Sequence, residues 1–482
     1  MAIASRPLPV IPATRPQRSV PLVGMPTRRP DANKIGGLSL TAIPLLRFLL
    51  SNRRVQPAVQ ILSVSFFAYL IFDGFFGVQD NKVSYAYAAF WQVWWNPVMT
   101  ISLLLVGRAW CYVCPIGAVT NTIQRLSLGY RFPTYLKPKV QVLGIGLSVL
   151  SISALTFLVM RAALFGGGLR AFPWMTSVFF LGMLLVAVSL TLVYRQRPFC
   201  RYVCPATGVM TVTAKLAPFQ LAQVSDRGVT NCMTAEFQSN YLSTERRCVA
   251  CMNCTTSRPD TTVKLQAVWP GAHAVRERIP LPDEALIALV IFAVFPINHV
   301  IVPWLFRDVP ILKAITDGMA PVMAGYLRYT LAIVGAIVAF GLVNAVAARL
   351  AGLRWEASFT RFANAYIPLG MLFTFGMHTI PALMSNGGGM LNVLGAAVGL
   401  QLGMPAALAS PETIAAWGAF SMHGLHWVSA LWGGIIAWLI ARDLTREDAA
   451  PLKAAVVAVL PHLLLMATVT WLIVTVMPPM QH

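Results

Sequence analysis

All eight cysteines of this 482-residue chain fall between Cys111 and Cys254. They are grouped as Cys111-x-x-Cys114-Pro, Cys200-x-x-x-Cys204-Pro, a solitary Cys232, and Cys248-x-x-Cys251-x-x-Cys254. Thiolates are soft ligands that suit iron-sulfur clusters, zinc and copper, and close spacing with trailing prolines is the pattern of cluster binding. The run from Arg247 to Pro259 follows the ferredoxin order C-x2-C-x2-C-x3-C-P, except that Arg258 stands where the fourth cysteine belongs. Eight thiolates divide into two sets of four, and a cubane cluster is normally held by four. Two [4Fe-4S] clusters are therefore expected, with Cys232 supplying the ligand that the triplet lacks. Pro115 and Pro205 leave open an exchange of ligands between the two sets. A three-cysteine site with a labile iron, or a [3Fe-4S] cluster, is the competing account. Zinc is the plain alternative, because two closely spaced cysteine pairs also make a tetrahedral site. Against zinc stand the consecutive spacings of the triplet and the Cys-Pro endings.

The elements that must position these thiols lie in a membrane. With 57% hydrophobic and 11% charged residues and a mean hydropathy of +0.66, the chain is neither a soluble globule nor a disordered polymer. Its net charge of +20 raises the question of nucleic acid, but in such a chain Lys and Arg first mark alternate loops. No nucleic-acid partner is expected. The expected fold is an all-α integral membrane protein with about nine spans, near 57–78, 86–106, 140–160, 173–194, 285–305, 325–347, 362–383, 413–441 and 454–477, each close to the roughly 20 apolar residues a bilayer requires. The segment 384–412 reads as an outer loop or a re-entrant piece.

Arg6, Arg15, Arg18, Arg28, Arg29, Arg47, Arg53 and Arg54 hold the N-terminus on the cytoplasmic side, so the C-terminus falls on the periplasmic side. The cysteines then face a reducing compartment, which disfavours disulfides. Four units result: a basic, Pro-rich tail and juxtamembrane segment at 1–56, a four-helix repeat at 57–205, a small cytoplasmic ferredoxin-like segment at 206–283, and a five-helix membrane domain at 284–482. The many prolines of residues 1–37 argue against an amphipathic targeting helix and for a disordered tail. Residues 38–52 suit a short helix along the membrane surface. Trp91, Trp94 and Trp95 fit an interfacial aromatic belt.

The first half repeats itself. Gly107-Arg-Ala-Trp-Cys-Tyr-Val-Cys-Pro and Gln196-Arg-Pro-Phe-Cys-Arg-Tyr-Val-Cys-Pro both read basic, aromatic, Cys, then Tyr-Val-Cys-Pro. Two helical hairpins delivering one motif to one face form a parallel repeat, which would gather Cys111, Cys114, Cys200 and Cys204.

The second half has no cysteine and places His299, His378, His423, His426 and His462 inside expected spans, where ionisable groups are costly and tend to mark function. His423 and His426, three apart, are expected on one face. With His378 they are the leading candidates to bind a b-type haem or another metal, or to line a quinone pocket. Neutral histidines bonded to neighbouring helices are the plain reading. Asp73 and Asn96-Pro97 read as interface and kink devices. The methionines are scattered as core residues. The glycine runs at 166–168 and 387–389 read as outer loops and not as phosphate loops.

Over about residues 50–265 the Cys-Pro hairpins and the cysteine triplet resemble the membrane polyferredoxin family, with its NapH, NosR and CcoG types and the electron-transfer subunit of some bacterial iron-uptake systems. The chain departs from that pattern in having two residues between Cys111 and Cys114 where three are usual, and in having one ferredoxin run without its last cysteine. The resemblance implies cytoplasmic-side [4Fe-4S] clusters in a bacterial inner membrane. It also implies a larger redox or metal-uptake complex as partner, and an electron-transfer subunit without an independent substrate reaction. Electrons would pass to a quinone, a haem or a periplasmic redox partner. The rival class is a metal-handling permease whose cysteines bind zinc or copper.

Overall fold

The computed structural model describes residues 37–130, 172–223, 248–255, 263–275, 282–447 and 451–476, apart from positions 82, 196, 253 and 398, together with short pieces at 141–142 and 145–146. Among these, eight helical runs are long and apolar enough to cross a bilayer: Val55–Phe76, Tyr85–Leu126, Pro173–Val193, Pro282–Asp308, Met323–Ala351, Trp355–Ala396, Pro411–Arg446 and Leu452–Val476. The chain is a predominantly helical, multi-pass membrane protein. Each run corresponds to one expected span. The span expected near 140–160 lies largely outside the described residues, and its described pieces, Gln141–Val142 and Ile145–Gly146, pair antiparallel. The tail 1–36 and the glycines at 166–168 also lie outside them.

Helix contacts in the first half depend on small residues. A side chain at Gly74 would collide with Ser177 and the Pro173 carbonyl, so glycine lets Val55–Phe76 lie directly against Pro173–Val193, as membrane helices require. Nearby, Trp91 donates its indole N–H to Thr176 at 2.8 Å, and the Ala86 N–H donates to Asp73 at 2.9 Å. Trp91 is therefore a core residue, 1% exposed, and not part of an interfacial belt. Its buried N–H has a partner between helices and needs no water. Pro97 sits inside a π-helical segment, Ala88–Val98, where its missing N–H and ring bulk are accommodated by the wider turn.

The segment between the two membrane halves is partly β. Leu38–Ser39, Val263–Ala267 and Phe219–Gln223 form a three-stranded antiparallel sheet with Val263–Ala267 in the centre. The all-α expectation is corrected to that extent, and residues just before the first span are tied to the segment that follows the third. A helix does form within 38–52, at Pro44–Ser51, and it leaves Leu45, Phe48 and Leu49 exposed. The halves are pinned together by a buried ion pair, Lys215 Nζ to Glu284 Oε2 at 3.0 Å, with Asn364 accepting from the same ammonium at 3.1 Å.

The glycine run 387–389 is helical, within Ile380–Ala397, and not a loop. The following residues fold back on this helix: the N–H groups of Gly388 and Gly389 donate to the Ala406 carbonyl at 3.0 and 3.2 Å. Asn392 also brackets the backbone of Met404. A side chain at Gly388 would overlap the Pro405 carbonyl, which accounts for the glycine.

Candidate functional site

The two Cys-Pro motifs are built alike. Cys114 is the residue before helix Pro115–Ile123, with extended backbone (φ −62°, ψ 123°), and Pro115 is the first helical position. Cys204 does the same before Pro205–Thr213 (φ −53°, ψ 125°). Proline is pre-set for that position and sacrifices no hydrogen bond there. Each cysteine thus sits at a helix N-terminus, where backbone N–H groups and the helix dipole favour a thiolate.

Cys111, Cys114, Cys200 and Cys204 all line one cavity of about 130 Å³, walled by Phe90, Trp94, Trp95, Trp110, Phe180 and Arg197 among others. One water needs only about 10–15 Å³ of such space. The repeat therefore does bring its four thiols together, around room for a body larger than one ion. Among the described residues no three His, Cys, Asp or Glu side chains converge tightly enough to hold a single metal ion. Burial pushes the Cys204 thiol up to about 12, with Cys200 and Cys111 adding to the rise and the Ala206 N–H and Thr207 hydroxyl opposing it. Burial also raises the Cys200 thiol, and Arg197 is the strongest opposing influence. Thiols such as Cys200 and Cys204, which burial holds in the protonated form, suit a cationic inorganic core, which deprotonates coordinating thiols outright. The donor set fits a [4Fe-4S] cluster.

The cysteine triplet lies in a loop that adjoins this cavity. Ala250 and Met252 have φ of 46° and 54°, left-handed values that non-glycine residues seldom adopt. The loop thereby turns its N–H groups inward, and the Ala250 N–H donates to Cys248 Sγ at 3.3 Å. Alternation of this kind forms anion-binding concavities, including those of iron-sulfur sites. Cys248 and Cys254 are buried and Cys251 is partly exposed. Gln56 holds the Ala250 carbonyl at 2.8 Å, and Thr255 donates to the Leu50 carbonyl at 2.7 Å, so the first span and its preceding helix carry this loop. Cys111 and Tyr112 pack against it, and Val249 reaches the four-cysteine cavity. Cys232 and Arg258 lie outside the described residues.

The histidines divide. The ring centroids of His299 and His378 are 5.1 Å apart, and Phe373 contacts His299, His378 and His426 at 6.0, 5.9 and 5.4 Å. His299, His378 and His423 lie in π-helical segments, Ala293–Ile301, Phe375–Thr379 and Ser421–Leu425, and His426 follows the last of these. Such bulges are frequent at functional sites. The wider turn separates His423 from His426: His423 is exposed and His426 buried, so they do not share a face. His299 Nδ1 bonds the carbonyls of Val294 and Phe295 at 2.9 and 2.8 Å, and His426 Nδ1 bonds that of Ser421 at 2.6 Å. Carbonyls only accept, so Nδ1 carries the proton in both rings and Nε2 is the lone-pair nitrogen. His462 stands apart, stacked on Phe362 at 4.2 Å and bonded to the Tyr366 hydroxyl at 3.1 Å. It fills the core. The Phe375–Thr379 segment touches Ala88–Val98, whose Phe90, Trp94 and Trp95 wall the cysteine cavity.

Sequence reading missed Arg108 and Arg197, each three residues before the first cysteine of its motif and each 1% exposed. Their identical register was the available signal.

Two stretches, residues 87–133 and 176–221, match a family described as a 4Fe-4S binding domain. Each contains one Cys-Pro motif, so both repeats are similar to that family. No curated protein and no solved structure matches the chain.

Proposed function

We propose that the protein is a membrane-bound iron-sulfur electron-transfer subunit. In this reading Cys111, Cys114, Cys200 and Cys204 hold one [4Fe-4S] cluster. Cys248, Cys251 and Cys254, completed by Cys232, hold a second. The clusters supply reversible one-electron chemistry, while the chain supplies burial, hydrogen bonding and ligand identity that set their potentials. The observation that carries the reading is the convergence of four thiols, two from each matched stretch, on one apolar cavity.

The histidine group is the second redox site, exchanging electrons with a quinone, a haem or a periplasmic partner. A quinone headgroup suits it best. Two imidazoles fixed with Nδ1 protonated offer lone pairs on Nε2 to a quinol hydroxyl. The aromatic segment Ala88–Val98 lies between this group and the cysteine cavity. Loop charges support a cytoplasmic-side cysteine end, and the resemblance to membrane polyferredoxins supports a bacterial inner membrane and a larger redox or metal-uptake complex as the setting.

Visible absorption of the purified protein tests the reading. An iron-sulfur protein is brown and bleaches on reduction. A zinc or copper(I) thiolate protein, as expected of a metal-handling permease, is colourless, and that result would sink the proposal.

A further inference from the structure

Arg108 and Arg197 occupy the same register, Arg-x-x-Cys, in the two motifs. Neither is a surface cation, since both are 1% exposed. Arg108 reaches across the repeat, donating to Thr211 at 2.9 Å and to the Cys200 carbonyl at 3.4 Å. Arg197 lines the four-cysteine cavity itself. Its backbone N–H is held by Gln124 at 3.1 Å, and its φ of 49° is left-handed, a conformation kept by a non-glycine residue only where the surroundings impose it. Most telling, its Nε and Nη2 have no hydrogen-bond partner among the described residues. A buried guanidinium without an anion is strongly unfavourable, and an anionic group in the cavity that Arg197 lines would supply one.

We propose that Arg197, seconded by Arg108, is the counter-charge of the group held by Cys111, Cys114, Cys200 and Cys204 and raises its reduction potential. This rests on the iron-sulfur reading of those four thiols. A tetrathiolate cubane is anionic, and one-electron reduction, with the electron supplied by an external donor such as dithionite, adds one further negative charge without breaking a bond. A fixed cation beside it favours the reduced state, and a planar guanidinium also directs several N–H donors at sulfur. Arg108 spends donors on Thr211 and the Cys200 carbonyl, whereas Arg197 lines the cavity itself, so Arg197 is the member that acts directly.

The test is a potentiometric titration of the full-length protein in detergent, followed by the reduced-cluster paramagnetic signal, on wild type, Arg197→Gln and Arg197→Lys with equal iron content. For Arg197→Gln one of the two components should move to lower potential by at least a tenfold change in the oxidised-to-reduced ratio, about 59 mV for a one-electron couple. It should be the component that Cys114→Ser abolishes. Arg197→Lys, which keeps the charge, should move it by less than half as much. An unshifted Arg197→Gln, or a lysine variant shifted as far as the glutamine one, overturns the proposal. If Arg197→Gln does not retain the cluster, the lysine variant decides. A near-native midpoint supports the counter-charge, and loss of the cluster there assigns the side chain to shape and overturns it. A wild type without iron-sulfur absorption defeats the underlying reading first, and the two failures are thereby distinguished.

Discussion

Thr120 Oγ1 lies 3.9 Å from Sγ of Cys200, a contact between the helix that follows the first Cys-Pro motif and the thiol that opens the second. With Arg108 bonded to the Cys200 carbonyl, it shows the repeats interlocked, each supplying half the wall around one cavity. Neither half forms a complete site. Cys114→Ser and Cys204→Ser are therefore expected to remove the same component of the reduced-protein spectrum and to leave the other intact. Loss of different components would mean that each repeat holds a group of its own.

Iron content follows from the same division of ligands. Two cubanes require about eight irons per chain, and Cys232→Ala should lower the content and weaken only the component that Cys248→Ser removes. Full iron with an unchanged spectrum would exclude Cys232 from the ligand set and favour a three-cysteine site.

Eight of the expected spans and the meeting of the two Cys-Pro motifs were legible because each leaves a local mark: about 20 apolar residues for a span, and a fixed Cys-to-Pro step for a helix start. What was hidden depends on partners distant in sequence. Trp91 looks like an interfacial residue until Thr176, 85 positions away, is seen to accept its N–H. The glycines at 387–389 read as a loop because the residues that return over them, around Ala406, are invisible in local composition. His423 and His426 were assigned one face by ordinary helical spacing, and the π-helical turn at Ser421–Leu425 breaks that spacing. The three-stranded sheet pairs residues up to 229 positions apart along the chain, Leu38 opposite Ala267.

Orientation rests on loop charges and has a direct check. Reporter fusions at Asn81 and Ile311 should read as periplasmic, and fusions at Lys137 and Val263 as cytoplasmic. A periplasmic reading at Val263 would move the cysteine end of the molecule to the opposite side of the membrane.

The close approach at Gly74 predicts a stability effect separate from redox chemistry. Gly74→Val drives a branched side chain into Ser177 and the Pro173 carbonyl, a kind of overpacking that costs about 1–3 kcal/mol. Gly182→Ala, where an added methyl meets nothing within 4 Å, serves as the matched control on the neighbouring helix. Thermal unfolding in detergent should show a clear drop for the first and none for the second. Equal midpoints would mean that the two helices can separate freely at this point.

The histidines yield the sharpest division of outcomes. His299 and His426 both contact Phe373 and are fixed through Nδ1, whereas His423 is exposed, so His299→Ala and His426→Ala should act and His423→Ala should be close to wild type. If the site exchanges electrons with a quinone, quinol oxidation should fall at least tenfold in the first two variants while iron-sulfur absorption is unchanged, because a fixed lone-pair nitrogen that takes the quinol proton contributes about 10²–10⁴-fold. If the imidazoles hold haem, a sharp reduced-minus-oxidised band should be present in wild type and lost in the same two variants. Should both variants keep native spectra and native electron transfer, the imidazoles are packing groups satisfied by their own helix carbonyls, as His426 is by Ser421, and the second half of the chain is a scaffold for a partner.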